Sequence, residues 1–253
     1  MGRESRRFLV QLLGFGFVLE LILVPAILWW PVFEENVSVV KGLVPFLKGK
    51  NFVGMLEVTG VEGYVIAQHF FKGCMVLGIP AAVLFSMGAV AGEAHRGTLE
   101  IWLARPVSRT RLLLERWLAG ALAVVVPVFA TSLTLPSLLE RVDETMAWEP
   151  ILLSSAHAST MLLAAYSATF FVSTLGRRPV VIAFSMLSFM VAQGALYIVE
   201  GVTHFSLYRL VDIPEYLAIF EHGRLDWSRT GPLLAASAVF LIGSLAVFRR
   251  RVP

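Results

Sequence analysis

The sequence has little with which to build a soluble catalyst. It holds one cysteine, Cys74, among 253 residues, so no disulfide framework, CxxC pair or zinc spacing is available. Charge is scarce: 15% of residues are charged and 57% hydrophobic, a balance too apolar for a soluble domain. No Gly-x4-Gly-Lys-Ser/Thr phosphate loop occurs, and the run from Gly42 to Lys50 resembles one only superficially. The chain is therefore not expected to hydrolyse ATP itself. The net charge of +3 does not point to nucleic acid, because the basic residues stand at the ends of apolar runs. A cleaved signal peptide is not expected either. The first apolar run is too long for a signal core and lacks a clean cleavage site, so it should remain as a span.

What the chain does have is six long apolar runs. A helix needs roughly 20 residues to cross a hydrocarbon layer of about 30 Å. Spans are predicted at about 8–30, 64–91, 112–139, 151–175, 180–199 and 232–248. All must be helical, since lipid offers no partner to an unpaired backbone group. The expected fold is an all-α membrane protein of six transmembrane helices in one domain, 1–253. Span 1 ends in Trp29-Trp30, suited to the polar–apolar boundary. The loop at about 31–63 begins with Pro31, and its apolar patches (Val37 to Val40, Val44 to Leu47) suggest short helices at the surface. Pro80 predicts a kink in span 2, and Gly176-Arg177-Arg178-Pro179 a tight turn between spans 4 and 5.

The basic residues orient the chain. With a cytoplasmic N-terminus, that side holds Arg3, Arg6, Arg7, Arg96, Arg105, Arg109, Arg111, Arg116, Arg177, Arg178 and Arg249 to Arg251, thirteen of the twenty-one Lys and Arg. Dense arginine in short inner segments is what the positive-inside rule requires. Both termini and the segment 92–110 are thus expected in the cytoplasm, with the protein in the plasma membrane.

A few polar residues inside or near spans are candidates for a pathway. Glu20 sits near the middle of span 1, where an ionised carboxylate is costly unless paired or protonated. It is a polar point on a substrate or proton path, or a structural carboxyl bonded to Gln193 or His157. His157, near the outer end of span 4, is a second pathway candidate, with a packed, hydrogen-bonded histidine as the plainer reading. The small residues of span 4 (Ser154, Ser155, Ala158, Ser159, Ala164, Ala165, Ser167) predict a helix surrounded by protein. Asp212-x-x-Glu215 has the form of a capping box, Pro214 falls in a first turn and Gly223 follows the last periodic residue, so a short outer helix is expected over 212–223.

The most informative stretch is the polar interruption between spans 2 and 3, Gly92 to Arg109. Thr98 is placed to cap a short helix, whose Leu99, Trp102 and Leu103 share a face. Pro106 ends that helix, and Ser108 is placed to cap the next. On spacing alone this is equally an amphipathic loop lying on the membrane. The pattern Glu93-x-x-Arg96-Gly97-Thr98-Leu99-Glu100, followed by Leu103-Ala104-Arg105-Pro106-Val107-Ser108-Arg109, resembles the signature of ABC-2 type transporter permeases. The resemblance implies that this stretch is a cytoplasmic coupling helix docking in a groove of a separate ATP-hydrolysing subunit. Glu93, Arg96, Gly97, Thr98, Leu99, Glu100, Trp102, Leu103, Pro106, Ser108 and Arg109 would then carry the coupling.

The resemblance further implies an exporter subunit with no cofactor in this chain. ATP and magnesium would bind ABC ATPase partners, and a second permease copy or paralogue would complete the pathway. It carries no substrate. The alternatives are an ATP-independent membrane transporter or a membrane scaffold. Inverted repeats would favour a secondary transporter, and no convincing repeat is present. A membrane enzyme would need a polar catalytic cluster, for which Glu20 and His157 are too few.

Overall fold

The computed structural model describes residues 3–43, 60–103, 106–199 and 201–250. Six helices in it are long and apolar enough to cross a membrane, and the described residues contain helices, turns and short connections only. The elements are α1 (Arg3–Leu28), α2 (Trp30–Leu43), α3 (Gly60–Ser86), α4 (Ala91–His95), α5 (Leu99–Leu103), α6 (Arg109–Ser132), α7 (Leu135–Leu139), α8 (Trp148–Leu175), α9 (Pro179–Ile198), α10 (Ile213–His222) and α11 (Trp227–Arg250). Of the loop patches expected to form surface helices, Val37 to Val40 lies in α2 and Val44 to Leu47 lies outside the described residues.

α8 is the centre of the bundle. Of its apolar window 67% is buried, against 17% for α1 and for α9, so α8 is surrounded while those two face outward. Its small side chains allow close approach, and their hydroxyls turn back on the helix's own carbonyls. Ser155 and Ser159 donate to the carbonyls of Ile151 and Ser155, each at 2.7 Å, and Thr169 to that of Ala165 at 2.9 Å. The helices packed on α8 also give way: a β-carbon on Gly78 of α3 would lie 2.9 Å from Leu162.

Several local expectations need correction. The chain does not leave its helix at Trp30, because Pro31 falls in the first turn of α2, where a missing N–H costs nothing. Span 2 is not simply kinked at Pro80; it is wound as a π-helix over Ile66–Leu77, upstream of that proline. α11 starts at Trp227, before Pro232, because the Asp226 carboxylate accepts the Ser228 amide at 2.8 Å and opens the helix there.

The helix α10 is present and ends at Gly223 in the left-handed region (φ +61°). It has no capping box, however. The Asp212 side chain makes no cap bond, and Arg229 instead draws in Glu215 (2.9 Å) and Asp212 (3.5 Å). Burial raises the Glu215 carboxyl, and Arg229 offsets only part of that against the nearby Asp226 and Asp212. Tyr216 of α10 stacks on Phe70 of α3 at 5.4 Å, which seats the helix in the bundle.

Candidate functional site

The segment between α3 and α6 is held at one end of the bundle, the arginine-rich end, by partners distant in sequence. As the chain leaves α3, the amides of Val90 and Ala91 donate to the Ser173 hydroxyl of α8 at 3.1 and 3.0 Å. These amides open α4, so Ser173 satisfies donors that a helix start leaves unpaired. α4 closes one turn later. The Thr98 amide donates to the Glu93 carbonyl (3.0 Å) and the Gly97 amide to the Ala94 carbonyl (3.3 Å), with Gly97 at φ +67°. This is a Schellman closure, and it explains why glycine stands at 97.

Glu93 is the hub. One carboxylate oxygen accepts from Arg96 at 2.7 Å and from Arg116 at 3.0 Å, and the other accepts from the Thr98 hydroxyl at 2.5 Å. The Glu93 and Arg116 side chains are each 14% exposed, so this pair is largely withdrawn from water. Arg116 also donates to the Ala89 carbonyl at 2.7 Å, which ties α6 to the turn after α3. Burial pushes the Glu93 carboxyl up, but the Thr98 hydroxyl, Arg116 and Arg96 outweigh it and hold it below the ordinary value.

Thr98, expected as a cap for α5, turns its hydroxyl proton back to Glu93. A hydrogen bond to a charged acceptor is stronger than one to a neutral group, which favours this rotamer. Leu99 packs inward at 7% exposure, and Ile101 is presented outward, 71% exposed. The backbones of Trp102 and Leu103 are helical, while their side chains, with Ala104 and Arg105, lie outside the described residues. Glu100, Pro106 and Val107 are exposed. Ser108 accepts the Arg111 amide at 3.3 Å and so caps α6. Next to it, Arg109 donates to the Arg249 carbonyl (3.4 Å) and Arg249 to the Thr110 hydroxyl (3.1 Å), joining the start of α6 to the end of α11.

The result is a strip, residues 95–108, mounted on α6 and α8 at one end and on α11 at the other. Of its described side chains His95, Arg96, Glu100, Ile101, Pro106, Val107 and Ser108 are exposed and Leu99 is buried. Among the described residues no cluster of His, Cys, Asp or Glu could hold a metal ion. The sequence profile of the ABC-2 family transporter proteins matches residues 41–251, which include the whole strip. The chain belongs to this family. No curated protein and no solved structure matches it. As an ABC-2 transporter membrane protein it is a permease rather than a catalyst.

The two pathway candidates of this permease are not brought together. Glu20 accepts from the Thr134 hydroxyl at 2.9 Å, at the break between α6 and α7, and not from Gln193 or His157. The Gln193 side chain instead accepts the Leu207 amide at 2.9 Å. His157 is fully buried, with Nδ1 2.9 Å from the Thr230 hydroxyl and Nε2 3.0 Å from the Leu210 carbonyl. A carbonyl only accepts, so Nε2 carries the proton and Nδ1 accepts from Thr230, and neither nitrogen remains for a ligand.

Residues that the sequence reading did not single out, Ser173 and Tyr166, make up much of this end together with Arg7, named there only for its charge. A second buried histidine, His69, also escaped notice. It meets the Ser132 hydroxyl at 2.9 Å, and Ser155 continues the chain to Ser132 at 2.8 Å. Histidine at membrane depth was the available signal for it.

Proposed function

We propose that the chain is the permease subunit of an ABC exporter, pairing with a second copy or a paralogue to line the translocation pathway. Separate ATPase subunits, holding ATP and magnesium, drive it. Residues 92–110 are the coupling segment, facing the cytoplasm together with both termini, in the plasma membrane. The exposed apolar faces of α1 (Leu13, Phe17, Leu21) and α9 (Phe184, Val191, Ile198) are available to lipid and to the second copy.

The observation that carries this reading is the mounting of the exposed strip. A push on α5 reaches α6 through Glu93 and Arg116, α8 through Ser173 and α11 through Arg249. A loop merely resting on lipid has no need of such ties. Glu100 distinguishes the two cases. On a lipid surface Glu100→Lys should be neutral or favourable, since each basic residue gains ~1 kcal/mol near anionic lipid. In a protein groove a reversed charge costs several kcal/mol through like-charge contact. Trp102→Ala removes an aromatic anchor worth ~2 kcal/mol or more at an interface.

The experiment is co-purification of the permease with its ATPase and ATP turnover by the reconstituted complex. Both variants should insert normally while weakening the complex or uncoupling hydrolysis from transport. Unaltered assembly and transport in both would contradict the docking role.

A further inference from the structure

A cavity of about 110 Å³ opens between α1, the end of α3, α6 and α8 at the arginine-rich end of the bundle. Its polar lining comes from Arg7 and Gln11 of α1, Glu115 and Arg116 of α6, and Tyr166 of α8. Two of these groups are already engaged. Arg116 holds Ala89 and Glu93, and Glu115 is paired with Arg111 at 2.7 Å. The other three are donors left over: the Arg7 guanidinium, the Gln11 amide and the Tyr166 hydroxyl form no hydrogen bond or ion pair among the described residues. Tyr166 is only 1% exposed, and its hydroxyl end lies against Gly120, which lines the same cavity. The hydroxyl is thus placed at the cavity, where it can donate to a group bound there.

The charge around the cavity is positive. Arg7, Arg96, Arg111 and Arg116 are set against Glu93 and Glu115, both of which are committed to ion pairs. The space has room for several water molecules. Its depth also matters. Arg7 stands at the first turn of the apolar window that starts at Arg6, and Arg116 lies about two turns into the one that starts at Arg109. Ends of spans lie near lipid headgroups, where basic pockets between helices take anionic groups.

We infer that this cavity binds a phosphate group, gripped by the Arg7 guanidinium and the Tyr166 hydroxyl with the Gln11 amide as a further donor. A planar guanidinium meets phosphate oxygens with two parallel bonds, and a hydroxyl supplies a third. The phosphate comes from an anionic lipid headgroup or from free phosphate in solution. The inference stands apart from ATPase docking.

The test uses the full chain in detergent micelles with fluorescent phosphatidylglycerol, diacylglycerol of the same chain length lacking phosphate, and inorganic phosphate. Phosphatidylglycerol should bind saturably and diacylglycerol should not. Arg7→Gln should weaken binding about tenfold, the size of one lost charge-assisted bond, and Tyr166→Phe about threefold. Tyr166→Phe removes a hydroxyl that no described protein group accepts from, so it should fold normally even if Arg7→Gln does not. Titration with inorganic phosphate alone, showing the same sensitivity to both variants, would assign the site to free phosphate. Phosphate-insensitive lipid binding with that sensitivity would assign it to the headgroup. Equal binding of diacylglycerol, or affinity unchanged in both variants, would overturn the inference.

Discussion

Glu93 carries more of this end of the molecule than any other side chain. Two guanidiniums and a hydroxyl converge on its carboxylate, from α6, from the turn after α4 and from the start of α5. Hydrogen bonds to a charged group contribute about 1.5–3 kcal/mol each when the group is shielded, less when exposed, and Arg96 at 44% exposure counts least. Glu93→Gln should therefore destabilise the chain by about 1–3 kcal/mol at neutral pH. Its pH dependence follows from the direction of the carboxyl's shift. The folded group titrates below the ordinary 4.5, so its contribution is complete above that value and is lost as the pH falls through the lower folded value. The gap in melting temperature between wild type and Glu93→Gln, measured in detergent, should shrink as the pH is lowered through the acid range. A gap that stays constant would mean that Glu93 is not held as an ion.

At the scale of elements, Gly120 of α6 packs directly against Tyr166 of α8. A β-carbon on Gly120 would sit 2.6 Å from the Tyr166 Cζ, while nearby Trp117 donates to the Ser167 hydroxyl at 3.1 Å. Gly120→Ala should cost about 1–3 kcal/mol by forcing these helices apart. Adding Tyr166→Leu should relieve part of it, so the double variant should lose less in thermal stability than the sum of the singles. Strict additivity would place the clash elsewhere. The apolar runs behind the helices were legible in the sequence because hydropathy is a local property. Contacts between helices were not. Glu93 and Arg116 are 23 residues apart and Ala91 and Ser173 are 82 apart, and no local pattern pairs them. The bond from Thr98 was not legible either, because capping is judged from the following residues and Glu93 lies five residues before it. Asp212 and Glu215 misled, since the residue that claims both, Arg229, is on the next helix.

For the whole molecule, α8 forms the axis, α3 and α6 pack on it, and α1 and α9 stay mostly exposed. The exposed strip between α3 and α6 is joined to the bundle at both ends, so force applied there would reach three spanning helices at once. That is the central claim, and Ile101 tests it most directly, because its side chain is 71% exposed at the middle of the strip. A photo-crosslinking residue placed at 101, with one at Val191 on the outward face of α9 as a control, should be compared in membranes that contain the ATPase subunit. The account predicts a crosslink from 101 to the ATPase whose yield changes with ATP, and none from 191. Crosslinks from 101 to lipid alone, in membranes where the ATPase is present and active, would contradict it.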